Sequence, residues 1–206
     1  MEPIVISQAT GQIIILNGTP RSGKSRLAAA IQVSFPGVWM NLGVDHFMAM
    51  TPAHLKPGMG LRPGGERPDL ELFLPPLYRA LYGAIAAHSR EGLSVVVDVG
   101  HHDSYSQPLG ILPVCARLLT DLPALFVGVR CPLEVILERR LATGYDLPGA
   151  PIPPAVALWQ KAVHEPGVYD LEVDTSQLTP EACATRIRKY LDSGAAPTAL
   201  SRLAAQ

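Results

Sequence analysis

Little in this chain suits a polyanion, a bilayer or an oxidising compartment. Only 17% of its 206 residues are charged, the formal net charge is -1, and Lys and Arg form no run. Binding along a phosphate backbone draws on clustered cations, so nucleic acid is not expected as a partner. No apolar stretch is long enough to span a membrane. The first residues, MEPIVISQATGQ, lack the basic start and apolar run of a secretory leader, and a cytoplasmic location is expected. Cysteine is scarce. Cys115, Cys131 and Cys183 are scattered and odd in number, which suits reduced thiols better than a disulfide framework or a metal cage. What the chain does have is 48% hydrophobic residues, 20 prolines and 18 glycines. That is material for a sizeable core punctuated by loops, in one domain or one domain with an inserted lid.

The strongest functional signal is the run IIILNGTPRSGKS at 13–25. It fits the phosphate-loop spacing G-x-x-x-x-G-K-[ST] through Gly18, Gly23, Lys24 and Ser25. The context fits as well, with a buried-strand pattern before the loop and a helical pattern after it. Glycines let backbone N–H groups close around phosphate oxygens, and the helix N-terminus adds positive potential. Lys24 is placed to reach the outer phosphates and Ser25 to ligate Mg²⁺. Gly18, Thr19, Pro20, Arg21, Ser22, Gly23, Lys24, Ser25 and Arg26 are therefore the expected nucleotide-binding residues. The motif is silent on what receives the phosphate.

Short apolar strands alternate with helical stretches along the rest of the chain. This predicts an α/β, three-layer fold, a mostly parallel five-stranded sheet flanked by helices. Strands are expected at about 13–17, 38–42, 94–98, 124–129 and 169–173. Helices are expected from the loop to about 34, then at 75–90, 109–119, 132–143, 155–164 and 180–191. The Gly/Pro-dense stretch 57–68 reads as an exposed loop, and 144–154 as a second Pro-rich loop. One kinase-sized domain over 1–194 follows, with a lid at about 132–154 and a weakly patterned tail at 195–206 that is expected to fray.

Other residues sit where chemistry is done in such sheets. Asp45 lies just past the second strand, the edge where open parallel sheets bind ligands. It reads either as a group that orients or deprotonates a hydroxyl or as a helix N-cap. Asp98 closes an all-valine strand and is the expected partner of Ser25 in holding Mg²⁺. Arg139 and Arg140 end a helix before the Pro-rich loop. An arginine there either stabilises charge on a transferring phosphoryl group or completes a solvated pair favoured by the helix dipole. His101 and His102 have no metal-ligand spacing around them and read as a polar loop lining the substrate cleft. Phe47, Met48, Met50 and Met59 flank Asp45 and read equally as an apolar acceptor pocket or as core.

Together with the loop, the segments LGVDHF at 42–47, VVVD at 95–98, VGVRC at 127–131 and VYDLEVDTS at 168–176 resemble the chloramphenicol phosphotransferase family of P-loop kinases, in matching order over about 13–192. The resemblance implies a fold related to shikimate and adenylate kinases, with ATP and Mg²⁺ used to phosphorylate a primary hydroxyl of chloramphenicol. It also implies a catalytic-base role for Asp45 and a nucleotide-facing role for Arg139. Val99 and Thr143 stand where the family archetype has an acid and an arginine, and the stretch after Asp45 differs.

The reading that emerges is a cytoplasmic ATP-dependent small-molecule phosphotransferase. Asp45, Lys24 and Arg139 form its catalytic group, with Ser25 and Asp98 at the metal. Its partners would be ATP and a small neutral hydroxyl compound, with no nucleic acid or membrane; a homo-oligomer is compatible with it. Two alternatives stand beside it. One is a kinase for a charged metabolite, for which Lys56, Arg62 and Arg67 are the nearby cations. The other is a nucleotide-binding regulatory protein without turnover.

Overall fold

The computed structural model describes residues 9–147, 149, 151–165 and 167–206. The chain's first eight residues and positions 148, 150 and 166, the first two of these within the stretch expected to form a lid, thus lie outside the described residues. Five strands run β1 Ile13–Asn17, β2 Trp39–Asn41, β3 Ser94–Val99, β4 Ala124–Arg130 and β5 Leu171–Asp174. They form one sheet in the order β2-β3-β1-β4-β5, and each neighbouring pair is parallel. The expected architecture is thus present, with every pairing parallel.

β1 is central because it is apolar on both sides. Ile13 and Ile15 enter one core and Ile14 and Leu16 the other, and all four are completely buried. Each such side chain contributes roughly 1.5–3 kcal/mol on leaving water. The first core packs the sheet against α4 Leu74–Arg90, α5 Ile111–Arg117 and α9 Ala199–Ala204. The second packs it against α1 Lys24–Ser34 and α8 Pro180–Asp192. Shorter helices, α2 Val44–Ala49 and α3 Pro68–Glu71, follow β2, and α6 Leu133–Ala142 and α7 Pro154–Ala162 follow β4. All five strands point their carboxyl ends to one edge. The β1–α1 connection emerges there between β3 and β4, where the connections diverge to either side, the usual ligand position in open parallel sheets.

Three expectations change. The tail does not fray: Ala199, Leu200 and Leu203 of α9 are buried. Asp170 Oδ1 accepts from the N–H groups of Thr198 and Ala199 at 2.6 and 2.8 Å, and Arg117 donates to the Ala204 carbonyl at 3.0 Å. Six residues are too few to display a helical period, so the sequence pattern was weak while the packing is not. The 57–68 stretch is not simply an exposed loop. A 3₁₀ turn at Gly58–Gly60 tucks Met59 and Leu61 into the core, and His102 Nε2 meets the Leu61 carbonyl at 3.0 Å. His101 and His102 are themselves buried rather than lining a cleft. His101 Nε2 lies 2.8 Å from Tyr82 Oη, and burial, then the neighbouring His102, pushes its pKa down to about 3, which keeps the ring neutral.

Candidate active site

The phosphate loop is shaped by what cannot fit there. A Cβ on Gly18 would lie 2.5 Å from the Val129 carbonyl, and Gly23 has φ 94, a left-handed conformation costly for any side chain. α1 starts directly behind the loop at Lys24. Lys24 Nζ donates to the carbonyls of Gly18 and Thr19, both at 2.8 Å, folding its ammonium back over the loop. Burial lowers the pKa of that ammonium to about 8, while the carboxylates of Asp98 and Asp45 pull it the other way. Among the described residues, the buried side-chain polar atoms without a partner are Thr19 Oγ1 and Ser22 Oγ, both in this loop.

Ser25 Oγ donates to Asp98 Oδ2 at 2.7 Å, so the two expected Mg²⁺ ligands already meet. Hard oxygen donors side by side suit that ion. Gly43 makes the arrangement sterically possible, because a Cβ there would sit 1.7 Å from Asp98 Oδ1. Its φ of −55 would suit any residue, so the requirement comes from Asp98 and not from the backbone. Gly43→Ala is therefore expected to fold with little change in Tm while displacing the Asp98 carboxylate. The Mg²⁺ concentration for half-maximal activity should rise by about 10–100-fold, the usual cost of disturbing a metal's supporting shell. An unchanged Mg²⁺ requirement would count against a metal role for Asp98.

Asp45 lies in the first turn of α2, but it does not cap that helix. The N-cap position is Gly43, and α2 has no side-chain cap bond. Asp45 is exposed, has no hydrogen bond or ion pair among the described residues, and lines the cavity with Lys24 and Ser25. The capping alternative thus has no support in the geometry.

That cavity, of about 800 Å³, brings together Gly18, Pro20, Arg21, Gly23, Lys24, Ser25, Arg26, Asp45, Asp98 and Arg139. Thr19 and Ser22 do not line it; both are buried. The cavity lining also includes Met59, Val99, Gly100, Val156 and Trp159, with Val99 directly beside the loop, its carbonyl accepting from the Gly18 N–H at 3.2 Å. Of Phe47, Met48, Met50 and Met59, Met59 alone lines the cavity, and Val44, next to Asp45, lines it too. Met48 is in the core, Phe47 packs beside it, and Met50 is 71% exposed. Trp159 lies close over Gly100, where a Cβ would be 3.1 Å from the indole.

Arg139 and Arg140 both border the cavity, but they are differently occupied. Arg139 donates to Thr175 Oγ1 and the Thr175 carbonyl at 3.1 and 2.6 Å and to the Arg21 carbonyl at 3.3 Å, all neutral acceptors. Arg140 is buried and gives two bonds to Asp146 at 2.5 and 2.7 Å, which hold that carboxyl below its usual range. Thr143, where the family archetype has an arginine, bonds back to the Arg139 and Arg140 carbonyls and closes α6. Sequence reasoning gave no role to Thr175 or Trp159. Thr175 Oγ1 also donates to the Ser22 carbonyl at 2.5 Å, tying β5 to the phosphate loop. The only signal for it was its place in the segment at 168–176.

Comparison with known proteins agrees with this geometry. Residues 11–192 match the family described as chloramphenicol phosphotransferase-like protein. The chain belongs to that family. A protein of Mycobacterium tuberculosis strain H37Rv, whose name gives it an inferred O-phosphotransferase activity, is 27% identical over 213 residues, covering 94% of this chain and 88% of its own. The solved structure of the Mycobacterium tuberculosis APS kinase in complex with AMPPNP and APS superposes with a TM-score of 0.59 at 16% identity, covering 89% of this chain and 99% of that one. Shikimate kinase from Acinetobacter baumannii in complex with shikimate gives 0.58 at 13% identity, with 90% and 95% covered. At those identities the structures establish the P-loop kinase fold alone. Family and fold together support a kinase-type phosphotransferase of small molecules. Among the described residues no helix is long and apolar enough to cross a membrane.

Proposed function

We propose that this protein transfers the γ-phosphoryl group of ATP to a hydroxyl of a small neutral acceptor, an antibiotic of the chloramphenicol type being the first choice. One observation carries the reading: Lys24, the Ser25–Asp98 pair and Asp45 border a single cavity whose lining also includes the apolar Met59, Val99, Val156 and Trp159. Lys24 would exchange its two loop carbonyls for β- and γ-phosphate oxygens, with the loop N–H groups around them. Ser25 and Asp98 are the residues that would hold Mg²⁺, which when bound neutralises charge on the phosphates. Asp45 would accept the hydroxyl proton and aim the oxygen for in-line attack, and Arg139 would bind the nucleotide from α6.

The neutral-acceptor reading rests on these apolar side chains. Burying an unpaired anion against Met59, Val99 and Trp159 would be costly, and Asp45 would repel it. Of the three cations that could serve a charged metabolite, Arg62 alone reaches the cavity, while Arg67 is held by Asp69. The test is a phosphotransfer screen with labelled ATP against chloramphenicol, other neutral alcohols and anionic metabolites. Saturable labelling of a neutral alcohol is expected. Labelling confined to anionic acceptors would overturn the pocket reading. ATP binding with no transfer to any acceptor would favour a regulatory nucleotide-binding protein.

A further inference from the structure

Arg21 is the third residue of a turn closed by the Ser22 N–H on the Thr19 carbonyl at 3.2 Å, a place that favours glycine. Its φ is 68, and it is the only non-glycine with positive φ among the described residues. Position 21 is one of the four free positions of the phosphate-loop pattern, so a glycine would satisfy the motif without strain. A strained non-glycine residue at a ligand site is a reason to ask what its side chain does.

The side chain lies against a second element. The Arg21 guanidinium carbon is 4.9 Å from the Tyr145 ring centroid, and that of Arg140 is 4.5 Å from the same centroid. Arg140 has its charge matched by the two hydrogen bonds it gives to Asp146. Arg21 has no ion pair among the described residues, although Asp146 lies within electrostatic range of it. The Tyr145 ring therefore packs against one guanidinium that has no hydrogen-bond acceptor among the described residues. Arg21, Tyr145 and Lys24 line the same cavity. Arg139, which also reaches the loop, spends its donors on Thr175, Cys131 and the Arg21 carbonyl, while Arg26 and Arg62 line the cavity with no aromatic ring against them among the described residues.

We propose that Arg21 is a γ-phosphate ligand by which the site tells a nucleoside triphosphate from a diphosphate, with Tyr145 as the positioning residue that holds its guanidinium at the cavity mouth. This rests on the reading of the cavity as an ATP site. A guanidinium suits that role, since it offers paired donors to the oxygens of a terminal phosphate. Tyr145 contributes through its ring, so its hydroxyl is dispensable.

The experiment is calorimetric titration of the Mg²⁺ complexes of AMPPNP and ADP into the whole protein and four variants. Arg21→Gly removes the side chain and suits the left-handed backbone, so folding is retained; Arg21→Lys keeps charge without the fork. Arg21→Gly is expected to raise the Kd for AMPPNP on the order of 10–100-fold, the size of one charge-assisted hydrogen bond, with ADP changed by less than about threefold. Arg21→Lys should recover part of that loss. Tyr145→Ala should weaken AMPPNP selectively, and Tyr145→Phe should behave as the parent protein. Equal loss for both nucleotides, or none for either, would overturn the role of Arg21. A Tyr145→Ala protein that still discriminates would overturn the positioning role. Discrimination lost in Arg21→Gly, in a protein that phosphorylates no acceptor, would support this assignment and sink the transfer reading. Transfer with an unaltered nucleotide preference in Arg21→Gly would do the reverse. Failure of the parent protein to bind either nucleotide would overturn both.

Discussion

Lys24→Ala should lower kcat/KM for phosphoryl transfer by about 10³-fold or more while leaving the protein as stable as before. The loss follows from what the ammonium does. In a loose transition state catalysis is mostly positioning and charge neutralisation, and preorganised cations at a transferring phosphoryl group carry effects of that order. The stability expectation follows from its surroundings. The ammonium is desolvated, and its pKa falls from 10.5 to about 8. The unfolded chain therefore holds this proton to higher pH than the folded one. Between about 8 and 10.5 the unfolded state binds more protons, and stability rises with pH through that window. Removing the group should erase the rise and leave Tm near neutral pH unchanged or higher. In the parent protein, nucleotide binding should weaken as pH climbs through about 8, because the phosphates need the charged form. Turnover within a few-fold of the parent would show that the loop does not work as described.

How much of this could be read from residues alone depends on how local the signal is. β1 and the phosphate loop were legible because an all-apolar strand, two glycines at fixed spacing, and a helix start occupy adjacent positions. β3 and β4 were legible for the same reason, as valine-rich runs buried from both sides of a parallel sheet. The Ser25–Asp98 contact joins residues 73 positions apart, yet each was predictable from its place at the end of a strand or loop. What was not legible depends on tertiary packing. Gly43 looks like any turn glycine until Asp98 lies against it. Met59 and Leu61 sit in a glycine- and proline-dense run whose composition reads as loop, and only their contacts with Tyr78 and His102 draw them inward. Trp159 comes from a helix far along the chain and joins the cavity lining because Gly100 leaves room for an indole. The two adjacent histidines were misread because polar residues after a strand usually line a cleft; here aromatic neighbours supply the burial and the hydrogen bond.

Asp45→Asn separates chemistry from structure in the same cavity. If the carboxylate takes the hydroxyl proton, the amide cannot, and kcat should fall on the order of 10²–10⁴-fold. Nucleotide affinity should stay within a few-fold, because the phosphates are held by the loop and Lys24 rather than by α2. Stability should change little, since Asp45 is exposed and caps no N–H group. Lys24 gives a second readout. Asp45 is one of the two carboxylates that raise its pKa against burial, so neutralising Asp45 should move the pH above which nucleotide binding weakens below about 8. The two effects have separate causes. A lowered kcat with an unmoved pH profile would leave proton transfer intact and show that Asp45 lies too far from Lys24 to act on it. A moved profile with kcat unchanged would reduce Asp45 to an electrostatic neighbour of the phosphate site and return the search for the hydroxyl's base to the other residues of the cavity.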